Sequence, residues 1–553
     1  MLLNALSKRL GVMVFYDKDN IIDDYVIFML DAFKEACDDL IIVSNTPLND
    51  DNLARFKTYS DKILVRQNRG LDAGAFKDVY DHYHEEFANY DELILINDTF
   101  YGPFDPFKDI NAKMADKDLD FWGLCASYEC ENGFGSLRSK QIPAHIQTFF
   151  VAYRSTVLRS KAFKQYWENY SIDDMDNFER VVTKHETYFT HYLEMAGFKW
   201  DTYLDLSAFK ADYFKNNYNI YAYSAYQLIK YYHAPFIKRK NFIFERNDAL
   251  FLNDGTDTIK AFNYLKERQL YDPKMILKNL VRLYTPSDLY QGMNLNYVLD
   301  HYQEDKQSTS LILIKVDSEV FKDYLKDLNL KGNIQYINEN IMTYLSQNKT
   351  ALQAYDYLFI LNLVDDLQVA RSVSDTNFFR IIDNTIASDE MVQKIQTIFN
   401  SDEYLGGLLA PISYHYQYFN ELSGRYFKDA IKKRNLKYRP KDFIAANPGF
   451  IVLRSAILSD LNDNHSEDDM MIYELLGQIS KHQYYAGKVY TQIYLSNDVT
   501  GYEKMFGAIF ADSKKHYTYP MVSVSSAGLI HRWIRKHLSL ETRKKLKRKL
   551  KRA

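Results

Sequence analysis

The stretch YDELILIND, residues 90–98, predicts the architecture of the first half of the chain. Its centre is a continuous apolar run, and Asn97 and Asp98 follow at once. A strand that is apolar on both faces is typical of a parallel sheet covered by helices on both sides. The stretch therefore predicts a central strand whose carboxyl end carries an amide and a carboxylate.

Similar apolar runs recur around this stretch at regular intervals. They are GVMVFYD (11–17), DLIIVSN (39–45), KILVRQN (62–68) and DFWGLCAS (120–127), and segments with helical spacing separate the first four strands. This alternation predicts an α/β fold with a parallel sheet. Ligands of such sheets bind beyond the carboxyl ends of the strands. The polar residues expected along that edge are Asp17, Asn45, Asn68, Asn97 and Asp98.

A second alternating pattern begins near residue 306 and repeats parts of the first. YDYLFILNL (355–363) resembles 90–98, and GFIVLRSAIL (449–458) resembles FFVAYRSTVL (149–158), in the same order. We interpret the pattern as a duplicated α/β unit. Leu363 stands in the second copy where the first has Asp98, so we expect a degenerate copy.

These patterns predict four parts of the chain. They are an α/β domain over 1–245, a helical connector over 246–305, a degenerate α/β domain over 306–520 and a basic tail over 521–553. Apolar residues make up 46% of the 553, which is typical of globular protein. The three cysteines form no CxxC pair, which favours a reducing cytoplasm over a disulfide framework.

A polar, glycine-rich loop, NRGLDAGAFKD (68–78), follows the third strand, and Gly70 and Gly74 flank Asp72 within it. Such a turn before a helix lets the backbone approach a phosphate or a sugar closely. The spacing is neither GxGxxG nor GxxxxGK[ST], so neither a dinucleotide fingerprint nor a Walker loop is predicted. The alternative is a tight turn in which Asn68 or Asp72 caps the next helix.

Six segments of the first half resemble the rhamnan synthesis protein F family in their sequence and order. They are FYDKDNIIDDYV, NRGLDAGAFKD, ILINDTFYGPF, DFWGL, HIQTFF and KHETYFTHYLEMAGFKW, and the resemblance covers residues 11–240. That family comprises bacterial glycosyltransferases of rhamnose-rich cell-wall polysaccharides. The resemblance implies a GT-A-like, Rossmann-type nucleotide-sugar domain. It also implies dTDP-L-rhamnose as donor and inversion to an α-linkage, and a lipid-linked polysaccharide fits the acceptor of such an enzyme.

The resemblance also implies roles for residues at the strand ends. Asp17 would lie near the nucleobase or ribose, and the loop residues Asn68, Gly70, Asp72 and Gly74 would frame the donor. Asp98, beside Asn97, would take the place of the catalytic carboxylate that faces the metal or the diphosphate. NDT replaces the DxD of the general GT-A pattern and offers one carboxylate, so Mg²⁺ or Mn²⁺ binding at Asp98 stays open. A scaffold that binds nucleotide sugar or glycan without turnover, or a transferase of another hexose, is the alternative.

An inverting transfer needs a base that deprotonates the acceptor hydroxyl. Its position in VVTKHETYFTHYL (181–193) makes Glu186 our candidate, and Asp120 is the second. The alternative for Glu186 is a solvated carboxylate on a helix surface.

Four other features of the first half suggest contacts to sugar or phosphate. His145 and Gln147 alternate along a predicted strand and would face the same side, as ligands or as structural groups. The basic segment PFIKRKNF (235–242) offers Lys238, Arg239 and Lys240 for the pyrophosphate, and a surface charge cluster is the alternative. Trp122 belongs either to the floor of the sugar site or to the core.

The end of the chain is strongly basic, with eleven Lys or Arg residues and one Glu over 532–552. Apolar residues are interspersed among them, which predicts an amphipathic helix on an anionic membrane surface. We therefore expect a cytoplasmic protein held peripherally at the inner face of the plasma membrane, with no nucleic-acid partner. A disordered solubilising tail and nonspecific nucleic-acid binding are the alternatives.

Overall fold

The computed structural model describes residues 2–4, 6–131, 141–172, 178–211, 220–242, 256–269, 271–304, 308–364, 371–411, 444, 446–461 and 471–495. The chain divides into two compact units. The first comprises Met1–Leu295, Lys441–Ile444 and Ile479–Ala486, and the second comprises Asn296–Pro440, Ala445–Gln478 and Gly487–Ala553. The part of the predicted connector up to Leu295 is thus grouped with the first unit, and the basic tail lies outside the described residues.

A seven-stranded sheet forms the centre of the first unit. Its strands are β1 (Arg9–Phe15), β2 (Asp39–Ser44), β3 (Lys62–Val65), β4 (Glu92–Asn97), β5 (Phe121–Gly123), β6 (Phe150–Arg154) and β7 (Trp200–Thr202). Their order is β7-β5-β6-β4-β1-β2-β3. Strands β1 to β4 are parallel, and β6 runs antiparallel to both of its neighbours. Every residue of β4 is buried, as its continuous apolar run predicts.

Helices lie between these strands, and further helices follow the last strand. They are α1 (Asp24–Lys34), α2 (Asp50–Lys57), α3 (Leu71–Tyr83), α4 (Phe107–Ala115), α5 (Ser155–Leu158), α6 (Lys161–Asn169), α7 (Phe178–Val181), α8 (Thr187–Met195), α9 (Ile220–Tyr223), α10 (Ala225–Tyr232), α11 (Thr256–Arg268), α12 (Pro273–Leu283) and α13 (Pro286–Met293). A π-helical turn, Val182–Glu186, joins α7 to α8, and short 3₁₀ helices span His84–Asn89, Ser207–Phe209 and Arg239–Phe242. One face of the sheet carries a large aromatic core in which α6 and α8 meet α3.

Three short antiparallel pairs bring later segments to the carboxyl edge of this sheet. Phe100–Tyr101 pairs with Ile237–Lys238, Ala126–Ser127 pairs with His145–Ile146, and Cys130–Glu131 pairs with Gln141–Ile142. The first pair holds the basic segment against the chain that leaves β4. The second pair places HIQTFF directly before β6. Both motifs therefore reach the edge at which β4 ends.

The second unit contains another seven-stranded sheet. Its strands are β8 (Asn296–Val298), β9 (Ser310–Val316), β10 (Asn333–Tyr336), β11 (Tyr357–Leu363), β12 (Leu405–Leu409), β13 (Phe450–Arg454) and β14 (Tyr485–Tyr490), in the order β8-β14-β12-β13-β11-β9-β10. The helices are α14 (Glu319–Asp327), α15 (Ile341–Leu352), α16 (Arg371–Thr385), α17 (Asp389–Ser401) and α18 (Met471–Lys481), with 3₁₀ helices at Leu299–His301 and Ser455–Leu458.

The two sheets share one internal plan. In each, two parallel strands lie next to an antiparallel strand, β6 in the first and β13 in the second. Each antiparallel strand ends in an arginine. Arg154 donates to the carbonyls of Met114, Lys117 and Leu119, and Arg454 donates to those of Phe399, Asp402 and Leu405. The predicted fold class is confirmed in its architecture, an α/β domain followed by a second α/β domain of similar plan.

The second copy is shorter than the first at one point. Between β10 and β11 the chain forms one helix, α15, where the first copy has α2, β3 and α3 between β2 and β4. The strand that precedes the glycine-rich loop is therefore missing from the second copy, together with the loop itself.

Candidate functional site

The loop after β3 has an unusual backbone at its centre. Gly70 has φ of +70° and Leu71 has φ of +52°, so two successive residues lie in the left-handed region before α3 continues. A Cβ on Gly74 would lie 2.2 Å from the carbonyl oxygen of Arg69 and 2.9 Å from Nη2 of Arg66. Glycine at position 74 thus allows the loop to close on the first turn of its own helix.

The side chain of Arg66 fixes this loop against the neighbouring strand ends. Its guanidinium donates to Oδ1 of Asn45 at 2.7 Å, to Oδ2 of Asp78 at 2.5 Å and to the carbonyl of Arg69 at 2.7 Å. Oδ1 of Asn68 is buried and has no hydrogen-bond partner among the described residues. Buried polar atoms are rarely left without a partner, so this acceptor is available to a ligand.

Asp72 connects the loop to the end of β4. Its Oδ2 accepts a hydrogen bond of 3.0 Å from Nδ2 of Asn97, and its Oδ1 accepts one from the amide of Ala73 at 2.9 Å. Oδ1 of Asn97 accepts from the amide and the hydroxyl of Thr99. Burial, followed by the nearby charge of Glu186, raises the pKa of Asp72 to about 6.

Glu186 lies at the end of the π-helical turn and reaches the same edge. Its Oε2 accepts from the hydroxyl of Thr148 at 3.0 Å, and its Oε1 lies 3.9 Å from Nε2 of His145. Its side chain is 26% exposed, so a substrate has access to the carboxylate. Nδ1 of His145 lies 2.8 Å from the carbonyl of Pro143 and must donate to it, while burial lowers the pKa of this histidine. The neutral ring then turns the lone pair of Nε2 towards Glu186.

The adjacent His185 points the other way, into the aromatic core. Its ring packs 5.3 Å from that of Trp167, and its Nδ1 lies 2.8 Å from the hydroxyl of Tyr166. Burial lowers the pKa of His185 to about 3. His185 is thus a structural group, and Glu186 is the member of the pair that faces the edge.

Gln147 and Lys238 meet on the other side of Asn97. Nζ of Lys238 donates to Oε1 of Gln147 at 2.7 Å and lies 4.7 Å from the centre of the Phe149 ring. Nε2 of Gln147 is buried and has no partner in the part of the chain that the structure describes. The half-buried Lys238 therefore contacts Gln147 and Phe149 and does not belong to an exposed charge cluster.

Asp98 lies in a buried polar group beside Arg239. Its carbonyl accepts from the hydroxyl of Tyr25 at 3.1 Å, and Nη1 of Arg239 donates to that hydroxyl at 2.8 Å. Burial raises the pKa of Asp98 to about 6, and the charge of Arg239 opposes the shift. Oδ2 of Asp98 is buried and makes no hydrogen bond to any described residue.

Asp17 is held by an arginine that the sequence motifs did not reveal. Nη2 of Arg282, in α12, donates to Oδ2 of Asp17 and to Oδ2 of Asp23, at 2.6 Å each. Asp17 also exchanges backbone hydrogen bonds with the hydroxyl of Thr46. The positive charge of Arg282 compensates the negative charges of both buried carboxylates. Asp17 therefore offers a ligand less negative charge than an unpaired aspartate at a strand end would offer.

The residues at Asp98 fit a divalent cation only in part. Mg²⁺ in enzymes typically binds one or two carboxylates together with the phosphates of its substrate. The unpartnered Oδ2 of Asp98 fits one such ligand. Among the described residues, no group of three His, Cys, Asp or Glu side chains is arranged to hold a metal ion, so the remaining ligands would come from a diphosphate and water.

Two residues considered from the sequence lie elsewhere. Asp120 precedes β5, at the opposite edge of the sheet, where it accepts hydrogen bonds from the hydroxyl of Thr156 and the amide of Lys199. Trp122 is fully buried and donates from Nε1 to Oε1 of Glu92 at 2.8 Å. The tryptophan therefore belongs to the core and not to a sugar-binding floor.

Comparisons with solved structures give only weak likenesses. A CMP:2-keto-3-deoxy-manno-octonic acid synthetase in complex with CTP is 12% identical over 35% of this chain and 89% of its own, with a TM-score of 0.22. Core-mannan synthase A from Aspergillus fumigatus, in an Mn/GDP form, is 11% identical over 34% and 71%, with a TM-score of 0.20. A glycosyltransferase that acts in glycosylation of the major capsid of PBCV-1 is 13% identical over 35% and 80%, with a TM-score of 0.21. Likenesses with such TM-scores carry no argument about this chain.

The family comparison is decisive. No curated protein matches the chain. The model of rhamnan synthesis protein F matches residues 40–331, slightly more than half of the chain, and that span contains the loop, the end of β4, Glu186 and Lys238. It supports a glycosyltransferase in rhamnan synthesis, as the ordered motifs predict. This chain belongs to the rhamnan synthesis protein F family.

Proposed function

We propose that the first unit is an inverting α-L-rhamnosyltransferase. It uses dTDP-L-rhamnose to extend a rhamnose-rich cell-wall polysaccharide on a lipid-linked acceptor. One observation carries the proposal: three buried polar atoms have no partner among the described residues, and they belong to the loop after β3, the end of β4 and the segment before β6. They are Oδ1 of Asn68, Oδ2 of Asp98 and Nε2 of Gln147. A ligand rich in hydroxyl and phosphate oxygens would accept a hydrogen bond from Nε2 of Gln147. Its hydroxyls, or a bound cation, would in turn satisfy the oxygens of Asn68 and Asp98.

The carboxylate of Glu186 acts as the general base. It takes the proton of an acceptor hydroxyl while that oxygen attacks the anomeric carbon of the donor. The bond from this carbon to the diphosphate oxygen breaks on the opposite face, and its electron pair leaves with the nucleoside diphosphate. Thr148 donates to Glu186 and orients it, and the neutral His145 is placed to accept a hydrogen bond from a neighbouring hydroxyl of the bound sugar.

Lys238 stabilises the charge that develops on the leaving diphosphate. Its ammonium group is held at the site by Gln147, and partial burial strengthens its electrostatic effect. Asp98 would hold a divalent cation, which would add positive charge near the same diphosphate when bound. Asn68, Asp72 and Asn97 position the sugar and exclude alternative poses.

The test uses the full-length chain with dTDP-L-rhamnose and a lipid-linked acceptor mimic. We expect acceptor-dependent release of dTDP and a product with one added α-linked rhamnose. Glu186→Gln should lower the rate at least 100-fold, since general-base catalysis contributes about 10²–10⁴-fold. Glu194→Gln, on the exposed side of the same helical region, is the matched control. Absence of dTDP release by the wild-type chain with every acceptor tested would contradict the proposal.

A binding scaffold without turnover is the second candidate. The sequence NDT favours this second candidate. Asn97 places an amide at the position where a second metal-binding carboxylate would otherwise stand. A scaffold would bind dTDP-L-rhamnose equally well in the wild type and in Glu186→Gln, with no product from either. A thermal-shift screen across nucleotide sugars separates rhamnose from another hexose, because a ligand that binds the folded state raises its stability.

We also propose that the protein is cytoplasmic and held peripherally at the inner face of the plasma membrane. Within the described ranges, no helix is both long enough and apolar enough to cross a bilayer. The proposal rests on the basic tail, whose charges would attract anionic lipids. Deletion of residues 532–553 should shift the protein from the membrane fraction to the supernatant, and an unchanged distribution would contradict the proposal.

A further inference from the structure

A cleft of about 740 Å³ opens beside the candidate site. Its walls come from α6, from the residues that follow α6, and from the π-helical turn with α8. Four tyrosines line it, Tyr166, Tyr170, Tyr188 and Tyr192, together with the amides Gln165 and Asn169. Its volume is within the range of about 300–1,000 Å³ that is typical of small-ligand sites.

The tyrosines form a continuous wall of rings. The ring of Tyr188 lies 5.9 Å from that of Tyr192 and 6.5 Å from that of Tyr166, which in turn stacks 5.5 Å from Tyr170. Tyr192 donates to the carbonyl of Ala162 at 3.1 Å, so that ring is fixed. Tyr188 is 51% exposed and presents a large part of its ring to the cleft and to solvent.

Such a surface has the chemistry that recognises carbohydrate. A pyranose ring presents a face of C–H groups and a rim of hydroxyls, and tyrosines offer flat apolar faces with polar ends. Gln165 and Asn169 lie one helical turn apart on α6 and add amide donors and acceptors to the same cleft. A 6-deoxyhexose has a methyl group where a hexose has a hydroxymethyl group, which increases the apolar area that the rings can cover.

The cleft adjoins the donor loop on one side. Burial, followed by the charge of Asp72, raises the pKa of Tyr170. Two residues further along the chain, Cγ2 of Ile172 lies 3.4 Å from the position that a Cβ on Gly70 would take. The wall that begins with the tyrosines therefore continues to the glycine-rich loop.

On the other side the cleft borders the turn that carries the proposed base. Thr183 and Lys184 line it, and both belong to the π-helical turn that ends at Glu186. By contrast, Lys238 and Asp98, which we assign to the diphosphate, do not line it. Glu186 itself does not line the cleft either, so what the cleft borders is the turn that carries this carboxylate.

We infer that this cleft is the acceptor subsite and that it binds the last sugars of the growing glycan chain, with the terminal hydroxyl directed to Glu186. The inference rests on the proposed function, because it names the second substrate of the same transferase site. The tyrosine wall would stack against the sugars that precede the terminal one. An occupant of a different kind, such as the nucleobase of the donor, is an outcome that the test below separates.

The experiment compares Tyr188→Ala with Tyr231→Ala in the full-length chain. Tyr231 is 63% exposed and lies on α10, outside the lining of the cleft, so it is a matched control for loss of a surface tyrosine. The probes are an α-linked rhamnose trisaccharide and dTDP, each titrated by calorimetry, and transfer is followed with dTDP-L-rhamnose. Tyr188→Phe, which keeps the ring, should behave like the wild type.

We expect Tyr188→Ala to weaken trisaccharide binding and to raise the acceptor KM about tenfold, the effect of losing one aromatic contact of about 1.4 kcal/mol. The affinity for dTDP should be unchanged in every variant. Unchanged trisaccharide affinity in Tyr188→Ala, or weakened dTDP binding instead, would overturn the inference.

The same measurements separate this inference from the proposed function. Trisaccharide binding that depends on Tyr188, without transfer by the wild type, would support the subsite and contradict the transferase. Transfer that does not depend on Tyr188 would support the transferase and overturn the subsite. Absence of both transfer and trisaccharide binding in the wild type would overturn both.

Discussion

Asn97 donates a hydrogen bond of 3.0 Å to Asp72 and thereby joins the end of β4 to the loop after β3. The contact connects two motifs that lie 25 residues apart in the chain. Each side chain accepts a further hydrogen bond, Asn97 from the hydroxyl of Thr99 and Asp72 from the amide of Ala73. This amide-to-carboxylate hydrogen bond therefore joins the loop directly to the end of β4, while Arg66 holds the loop to the end of β2 through Asn45.

Replacement of this amide should damage donor binding. Asn97→Asp would place two carboxylates at hydrogen-bond distance, where both cannot be ionised without repulsion. We expect dTDP to bind at least tenfold more weakly at pH 7.5, with partial recovery at pH 5.5 when one proton is shared. Calorimetric titration measures both values, and Asn97→Ser, which adds no charge, should show no such recovery. Equal loss at the two pH values in Asn97→Asp would contradict the electrostatic explanation.

Asp72 should make the first unit less stable as the pH rises. Its pKa is about 6 in the folded state and 3.8 ordinarily, so the folded state binds the proton more tightly. The stabilisation is complete below about pH 4 and is lost as the pH passes through 6, with a limit of about 3 kcal/mol. Asp72→Asn should remove this slope, although it also disturbs the hydrogen bond to Asn97.

The free energy of unfolding is measured in urea at pH 4 and at pH 7, for the wild type and for Asp72→Asn. Tryptophan fluorescence monitors the unfolding. Three of the four tryptophans, Trp122, Trp167 and Trp200, lie in the first unit, so the signal reports mainly on that unit. A wild type and an Asp72→Asn variant with the same dependence on pH over this range would show that the carboxyl is not perturbed.

His185 should produce the opposite dependence. Its folded-state pKa is about 3 and its ordinary value is 6.5, so the unfolded chain binds the proton more tightly. Its contribution to stability is complete above pH 6.5 and is lost as the pH falls, by about 3 kcal/mol at pH 4.5. His185→Phe cannot be protonated and should unfold with a weaker acid dependence, even if it is less stable at pH 7.5.

Circular dichroism melts of the His185→Phe variant at pH 7.5 and pH 5 measure that difference. His191, on α8, is 44% exposed at its side chain, and His191→Phe is the matched control. A melting temperature that falls equally with acid in wild type and His185→Phe would mean that the buried ring is protonated at little cost.

Gly74→Ala should disrupt the donor loop. The new methyl group would lie 2.2 Å from the carbonyl oxygen of Arg69, so the loop or the start of α3 must move. We expect destabilisation of about 1–3 kcal/mol and at least a tenfold loss of dTDP affinity. Gly332→Ala is the control, because a Cβ there would meet no described atom within 4 Å. Tight dTDP binding by Gly74→Ala would show that the loop does not carry the donor site.

The sheet could be predicted from the sequence because its signals are local. A run such as LILIND shows both the burial of the strand and the polar residues that end it, and parallel strands place those residues at one edge. The duplication was visible for the same reason, since FVAYRS and FIVLRS each place an arginine where a strand meets helix carbonyls.

Long-range partners account for most of what the sequence did not show. Arg282 compensates Asp17 from 265 residues away, and no local pattern marks an arginine on an amphipathic helix as a buried counter-ion. Thr148 orients Glu186 from a different element, and Trp122 pairs with Glu92 inside the core. Gly74 had a plausible ligand-binding explanation, yet the geometry at this position requires glycine for packing against Arg69.

The shorter connection in the second sheet has a consequence for binding. Residues 337–356 stand there in place of residues 45–91, so the second sheet has neither the strand nor the turn that carries Gly70, Asp72 and Gly74 in the first. A ligand at the carboxyl ends of β9 and β11 would therefore meet one helix, α15, where the first unit offers a polar loop. Even if the second unit binds a sugar, it cannot grip it with the backbone that we assign to the donor in the first.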